Sequence, residues 1–167
     1  MNTFFDNSFN RNVVTIYPGE YYVSKGPELI STILGSCVAI VLFDPQNQIG
    51  GMNHFMLATN KDKTKDAKRN GPIGRFGEYA IDLLLKDMEK AGADRRNLQA
   101  KIFGGSNVFN LPETAREQVG TQNIKFAKNY LQKLNIPILA EELGGVPSRK
   151  IVFDPTTFKV LLKRINQ

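Results

Sequence analysis

Apolar and polar positions follow strand spacing over most of the chain and helical spacing in two places. Residues 13–24 carry β-branched and aromatic side chains interrupted by Pro18-Gly19, which predicts a strand, a turn and a second strand. Residues 29–34 form a short apolar strand, broken by Gly35-Ser36. Residues 37–43 (CVAIVLF) are apolar throughout, as expected of a central strand buried on both faces. Asp44-Pro45-Gln46-Asn47 is a turn signal, and residues 49–57 return as the partner strand of a hairpin. In 74–91, the positions Phe76, Ala80, Leu83, Leu84, Asp87, Met88 and Ala91 fall on one helical stripe, with Gly92 as a stop. A second stripe runs through Ile124, Ala127, Tyr130, Leu131 and Leu134 of 121–134, with Thr121 or Asn123 at its N-terminus. Short strands are expected at 100–103 and 136–140, and 151–153 and 158–165 flank Asp154-Pro155-Thr156-Thr157 as a terminal hairpin. Residues 1–12, rich in Asn and Phe, read as a flexible tail ahead of a single domain over 13–167. Two helices against about eight strands, with hairpins at both ends, predict an α+β layered domain.

Composition narrows the chemistry. The 167 residues include 22 Lys+Arg against 16 Asp+Glu, a net charge of +6 with the single His neutral. Part of that charge sits in Lys61-Asp62-Lys63-Thr64-Lys65-Asp66-Ala67-Lys68-Arg69, which reads as a solvated basic loop. The loop has no interleaved aromatic, and the chain has no helix-turn-helix, zinc-finger or RRM signature, so nucleic acid is not an expected partner. One Cys and one His exclude an intramolecular disulfide, a CxxC pair and a four-ligand zinc site, and no metal is expected. The longest apolar run, 38–43, is far short of the ~20 residues that span a bilayer, and the first residues lack a signal-peptide pattern. Neither membrane insertion nor secretion is expected; a reducing, cytoplasmic compartment suits the free thiol.

Two residues stand out as candidate chemistry. Cys37 follows Gly35-Ser36, where the backbone can turn sharply and its N–H groups can point at a developing oxyanion. By itself a free Cys is a small buried hydrophobe, and a lone strand His is a satisfied polar residue. As a pair they are more informative. They lie on strands joined by one turn, and a hairpin centred near Pro45-Gln46 puts Cys37 opposite His54 or Asn53. A thiolate paired with an imidazolium is an activated nucleophile. A third group normally orients such a histidine. Ser31 and Thr32 are candidates, with Asn53 and Asn107 weaker ones. The loop Gly104-Gly105-Ser106-Asn107 offers backbone that can approach a substrate; it matches neither nucleotide-binding glycine motif.

These residues carry a resemblance. Ser31-Thr32-Ile33-Leu34-Gly35-Ser36-Cys37-Val38-Ala39, followed by Gly51-Met52-Asn53-His54-Phe55-Met56-Leu57, resembles the chemoreceptor glutamine deamidase family, CheD. The likeness continues through 100–109, 119–123 and 139–145 and covers residues 13–165. It implies a three-layer α/β/β sandwich, related in architecture to the catalytic domain of cytotoxic necrotizing toxins. It implies a Cys–His–Thr triad that deamidates glutamines on chemoreceptor signalling helices without a cofactor, with His54 keeping Cys37 as a thiolate. Cys37 matches the nucleophile and His54 the base. For the third member, Ser31 matches by register, while Thr32 keeps the residue type one position on. Gly35, Ser36, Gly104, Gly105, Ser106 and Asn107 are the expected oxyanion and substrate-binding positions. The expected partners are chemoreceptor cytoplasmic helices and a CheC-type phosphatase; a module that only regulates such a phosphatase is the alternative reading. The chain departs from the family pattern at Ala58, where Pro is frequent, and in the long segments 61–72 and 110–118.

Overall fold

The computed structural model describes residues 1–57, 74–110, 112 and 118–165. The basic run 61–69 lies outside the described residues, as do 111 and 113–117 of the long second segment and the side chain of Phe76.

Ten strands and two α-helices are described: β1 (Asn2–Asp6), β2 (Arg11–Thr15), β3 (Tyr21–Ser24), β4 (Leu29–Leu34), β5 (Val38–Asp44), β6 (Ile49–Asn53), α1 (Gly74–Lys90), β7 (Gln99–Gly104), α2 (Val119–Lys133), β8 (Ile138–Leu143), β9 (Ser148–Phe153) and β10 (Val160–Ile165). They form two mixed five-stranded sheets, ordered β1-β2-β4-β9-β10 and β3-β6-β5-β7-β8. The pairs β2–β4 and β7–β8 are parallel and the rest antiparallel.

The all-apolar β5 explains the layering. Its Ala39, Val41 and Phe43 pack against Val14, Ile30, Leu34, Ile151 and Phe153 of the first sheet. Its Val38, Ile40 and Leu42 pack on the other face against Ile81, Leu84 and Met88 of α1 and Ala127 and Leu131 of α2. Successive strand residues point to opposite faces, so one apolar run supplies two cores. The result is the expected α+β architecture with helices, sheet and sheet in three layers.

Several local expectations need correction. Residues 1–12 are not a loose tail: Asn2–Asp6 pairs with β2 from Asn2↔Thr15 to Asp6↔Arg11. The first four residues of this strand are exposed on both faces, so it is held by its backbone ladder to the β-branched β2 rather than by burial of its own side chains. The two strands within 13–24 do not pair with each other; β2 and β3 belong to different sheets, and Pro18-Gly19 lies on the crossing between them. On α1 the fully buried residues are Ile81, Leu84, Leu85 and Met88, a stripe turned by one position from the expected one. α2 starts at Val119 rather than Thr121, so Asn123 is not a cap but a fully buried residue of its second turn.

Candidate active site

The turn Gly35–Ser36–Cys37 carries the chain from β4 in one sheet to β5 in the other. On β4 the alternation places Ile30, Thr32 and Leu34 toward the seam between the sheets, with Ile30 and Leu34 in its core. On β5 the seam face is Ala39, Val41 and Phe43, and Cys37 packs against that same core. On β6 Met52 faces the seam, and His54 follows two residues later. Thr32 from within β4, Cys37 from just before β5 and His54 from just after β6 thus converge at one place on the seam. There they line a cavity of about 530 Å³, together with Gly35, Ser36, Tyr17, Ile33 and Phe109.

The hairpin register differs from the expected one by two residues. The turn is longer because the Asp44 carboxylate accepts from the N–H groups of Gln46 and Asn47, both at 3.0 Å, fixing a four-residue connection with Asp44 across from Ile49. The same register runs to the bridge Val38↔Phe55. Ala39 therefore lies across from His54, and Cys37 is its diagonal neighbour on the same face.

His54 is 3% exposed and held on all sides. Its backbone pairs with the segment after β2: Gly19 N–H donates to the His54 carbonyl at 2.8 Å and His54 N–H to the Glu20 carbonyl at 3.0 Å. Its Nδ1 lies 2.7 Å from Thr32 Oγ1. The Thr32 hydroxyl donates its only proton to the Ile16 carbonyl at 2.7 Å. It must therefore accept from His54, which fixes the Nδ1–H tautomer and leaves Nε2 as a bare lone pair. Nε2 is buried and makes no hydrogen bond to a described residue.

Thr32, not Ser31, is the group that holds the imidazole. Ser31 faces away from the seam, in parallel register with Thr15, and its hydroxyl lies 2.9 Å from Thr15 Oγ1. The shift of one position from Ser31 to Thr32 is what turns the side chain toward the seam and His54. Asn53 is also committed elsewhere: its Oδ1 accepts from Ile40 N–H at 2.9 Å.

A resting ion pair is not what this environment favours. Burial pushes the Cys37 thiol above its usual value. Burial pulls His54 down to about 4, partly offset by the nearby Glu20 carboxylate. At neutral pH the pair is thiol and neutral imidazole, and no hydrogen bond joins the two.

Gly104, Gly105, Ser106 and Asn107 do not line the cavity. Their backbone instead holds the turn that carries Cys37. Gly104 pairs with Val38, Gly105 N–H donates to the Cys37 carbonyl at 2.8 Å, and Ser106 N–H donates to the Gly35 carbonyl at 2.9 Å. Asn107 N–H donates to the Gly145 carbonyl at 2.7 Å. The glycines are there for close approach: a Cβ on Gly105 would lie 2.5 Å from Ile124, and one on Gly120 would lie 2.4 Å from the Gly105 carbonyl oxygen.

Two supporting residues carry no motif in the sequence. Arg149, on β9 across from Leu34, is 2% exposed and donates to the carbonyls of Gly104 at 3.2 Å, Glu142 at 2.5 Å and Gly144. It fastens the two glycine loops behind the Cys37 turn. Asn123 joins the Cys37 turn to the chain after His54. The only trace of either in the sequence is a polar residue inside an apolar periodicity.

A half-buried thiol and a buried imidazole of fixed tautomer line one cleft, the two groups that thiol-based hydrolysis requires. A family model described as CheD chemotactic sensory transduction matches residues 56–164. A Janthinobacterium protein (strain Marseille) named as a probable chemoreceptor glutamine deamidase CheD is 44% identical over 99% of this chain and 80% of its own length. A protein of Shewanella oneidensis with the corresponding name is 45% identical over 92% of this chain and 77% of its own length, and one of Xanthomonas campestris is 42% identical over 96% and 77%. Among solved structures, the hypothetical protein YfiH of Bacillus licheniformis is similar with a TM-score of 0.43 at 14% identity, over 72% of this chain and 49% of that one. The chain belongs to the CheD family. No helix among the described residues is long and apolar enough to cross a membrane.

Proposed function

We propose that this chain is a chemoreceptor glutamine deamidase in which Cys37 is the nucleophile, His54 the base and acid, and Thr32 the group that orients His54. The names of its relatives support the substrate class, a glutamine side chain on a chemoreceptor. The observation that carries the residue roles is the Ile16–Thr32–His54 relay, which leaves Nε2 unprotonated beside the cleft that Cys37 lines.

The glutamine carboxamide enters the cleft and its carbon meets Cys37 Sγ. As the C–S bond forms, Nε2 takes the thiol proton, so no resting thiolate is needed. The carbonyl oxygen becomes an oxyanion beside the N–H groups of the Gly35–Cys37 turn, whose carbonyls are occupied by Ser106, Asn123 and Gly105. His54 returns the proton to the carboxamide nitrogen, which leaves as ammonia. Water then attacks the thioester with His54 as base, releasing glutamate and the Cys37 thiol. Neither step needs a metal or organic cofactor, and a free thiol suits the cytoplasm.

The test is a purified chemoreceptor cytoplasmic fragment, incubated with this protein or with Cys37→Ala and read by peptide mass spectrometry. Gln-to-Glu conversion with the wild type only is expected. Equal conversion by both proteins would remove Cys37 from the mechanism.

A further inference from the structure

The β5–β6 ladder, which sets the spacing of the two catalytic segments, stops at Val38↔Phe55. Ser36 and Cys37 precede that last rung on one side, and Met56 and Leu57 follow it on the other. Asn123 occupies this open end. It is 0% exposed; its Nδ2 donates to the Ser36 carbonyl at 2.8 Å and its Oδ1 accepts from Leu57 N–H at 2.8 Å. A side-chain carboxamide has the donor and acceptor of a peptide group, so it replaces one rung with an amide borrowed from α2. The helix that presents it is seated by backbone contact between Gly120 and Gly105.

We propose that Asn123 is a positioning residue that sets the separation of Cys37 and His54 by extending the β5–β6 ladder past its last backbone rung. It touches neither substrate nor reacting atoms. It acts by fixing the residue before the nucleophile to the third residue after the base. The inference rests on the roles proposed for Cys37 and His54. A displacement of about 1 Å between reacting groups can cost on the order of 100-fold in rate, so a small loosening here should appear in kcat rather than in binding.

The discriminating variants are Asn123→Asp and Asn123→Leu. Both are close in size to Asn. Leu removes donor and acceptor together. Ionised Asp keeps the acceptor for Leu57 N–H but sets a carboxylate against the Ser36 carbonyl, whereas protonated Asp regains a donor. Two readouts are taken on protein shown by circular dichroism to be folded: kcat and KM on a receptor fragment, and the rate of Cys37 alkylation by iodoacetamide between pH 5.5 and 8. The expected result is kcat lowered by about 10- to 100-fold in both variants with KM little changed. The Asp variant should regain reactivity relative to wild type as pH falls, and the Leu variant should not. A purely structural role would lower the melting temperature and leave both the kcat-against-KM split and that pH-dependent ratio unmoved. Folded variants with wild-type kcat and wild-type alkylation profiles overturn the proposal. If wild type fails to deamidate any receptor fragment while the Asp variant still shows the pH-dependent alkylation ratio, the deamidase reading fails and the positioning role stands.

Discussion

Thr32 and His54 share a hydrogen bond whose direction is settled by a third group. Thr32 Oγ1 lies 2.7 Å from the Ile16 carbonyl oxygen, which can only accept, and 2.7 Å from His54 Nδ1, which must therefore donate. Removing the hydroxyl frees the imidazole to rotate or to take the other tautomer. Thr32→Val should lower kcat by about 100-fold, Thr32→Ser should keep most of the activity, and Ser31→Ala should stay within about threefold, costing only the bond to Thr15, about 1 kcal/mol of stability. Steady-state kinetics on a receptor fragment check this. Loss of activity in Ser31→Ala with retention in Thr32→Val would reverse the assignment.

The thiol is expected to be quiet in the free protein. Burial raises the Cys37 pKa and lowers that of His54. Alkylation by iodoacetamide should therefore climb steadily with pH, with no plateau below neutrality. The acid limb of kcat/KM should follow His54, near 4 rather than near the ordinary 6.5. A fast, pH-independent alkylation between pH 5 and 7 would show a resting thiolate instead.

The same histidine links stability to acid. Its folded-state pKa is depressed to about 4 from 6.5, so the unfolded chain binds a proton more readily than the folded one. The stability it protects is present above pH 6.5 and is lost as pH falls toward 4, by up to about 3 kcal/mol. Denaturant titrations at pH 7.5 and 4.5 should show this drop in wild type and a smaller one in His54→Gln. An identical pH dependence in the two proteins would contradict it.

Much of this site was legible in the sequence. The all-apolar 37–43 marks a strand with two buried faces, and the spacing about the Asp44-Pro45 turn sets the lone Cys and the lone His on neighbouring strands. The choice between Ser31 and Thr32 was not legible, because it depends on which face of β4 meets the second sheet. The hairpin register turned on one Asp44 side chain lengthening the turn. Gly104–Asn107 looked like a substrate loop because glycine marks close backbone approach. The approaching partners are the Cys37 turn and Gly120 of α2, which lies far along the chain. Asn123 and Arg149 were hidden for the same reason: each matters through backbone groups that no local pattern encodes.

The contact between Gly105 and Gly120 should be intolerant of even a methyl group. A Cβ on Gly120 would sit 2.4 Å from the Gly105 carbonyl oxygen, whereas one on Gly144 meets nothing within 4 Å. Gly120→Ala should cost about 1–3 kcal/mol and reduce activity, by lifting α2 and Asn123 from the Cys37 turn. Gly144→Ala should cost about 1 kcal/mol, from its left-handed backbone alone. Thermal melts of the two variants would check the order; equal melting temperatures would count against the close packing.

The most direct test of the whole account is the covalent intermediate. Wild-type protein is mixed with an equimolar chemoreceptor cytoplasmic fragment, quenched in acid within a turnover and examined by intact mass spectrometry. The account predicts a species with the mass of the two chains joined less one ammonia, mapped to a thioester between Cys37 and a receptor glutamine, and absent with Cys37→Ala. A Cys37→Ala protein that still converts receptor glutamine to glutamate at the wild-type rate, with no adduct in either sample, would contradict it.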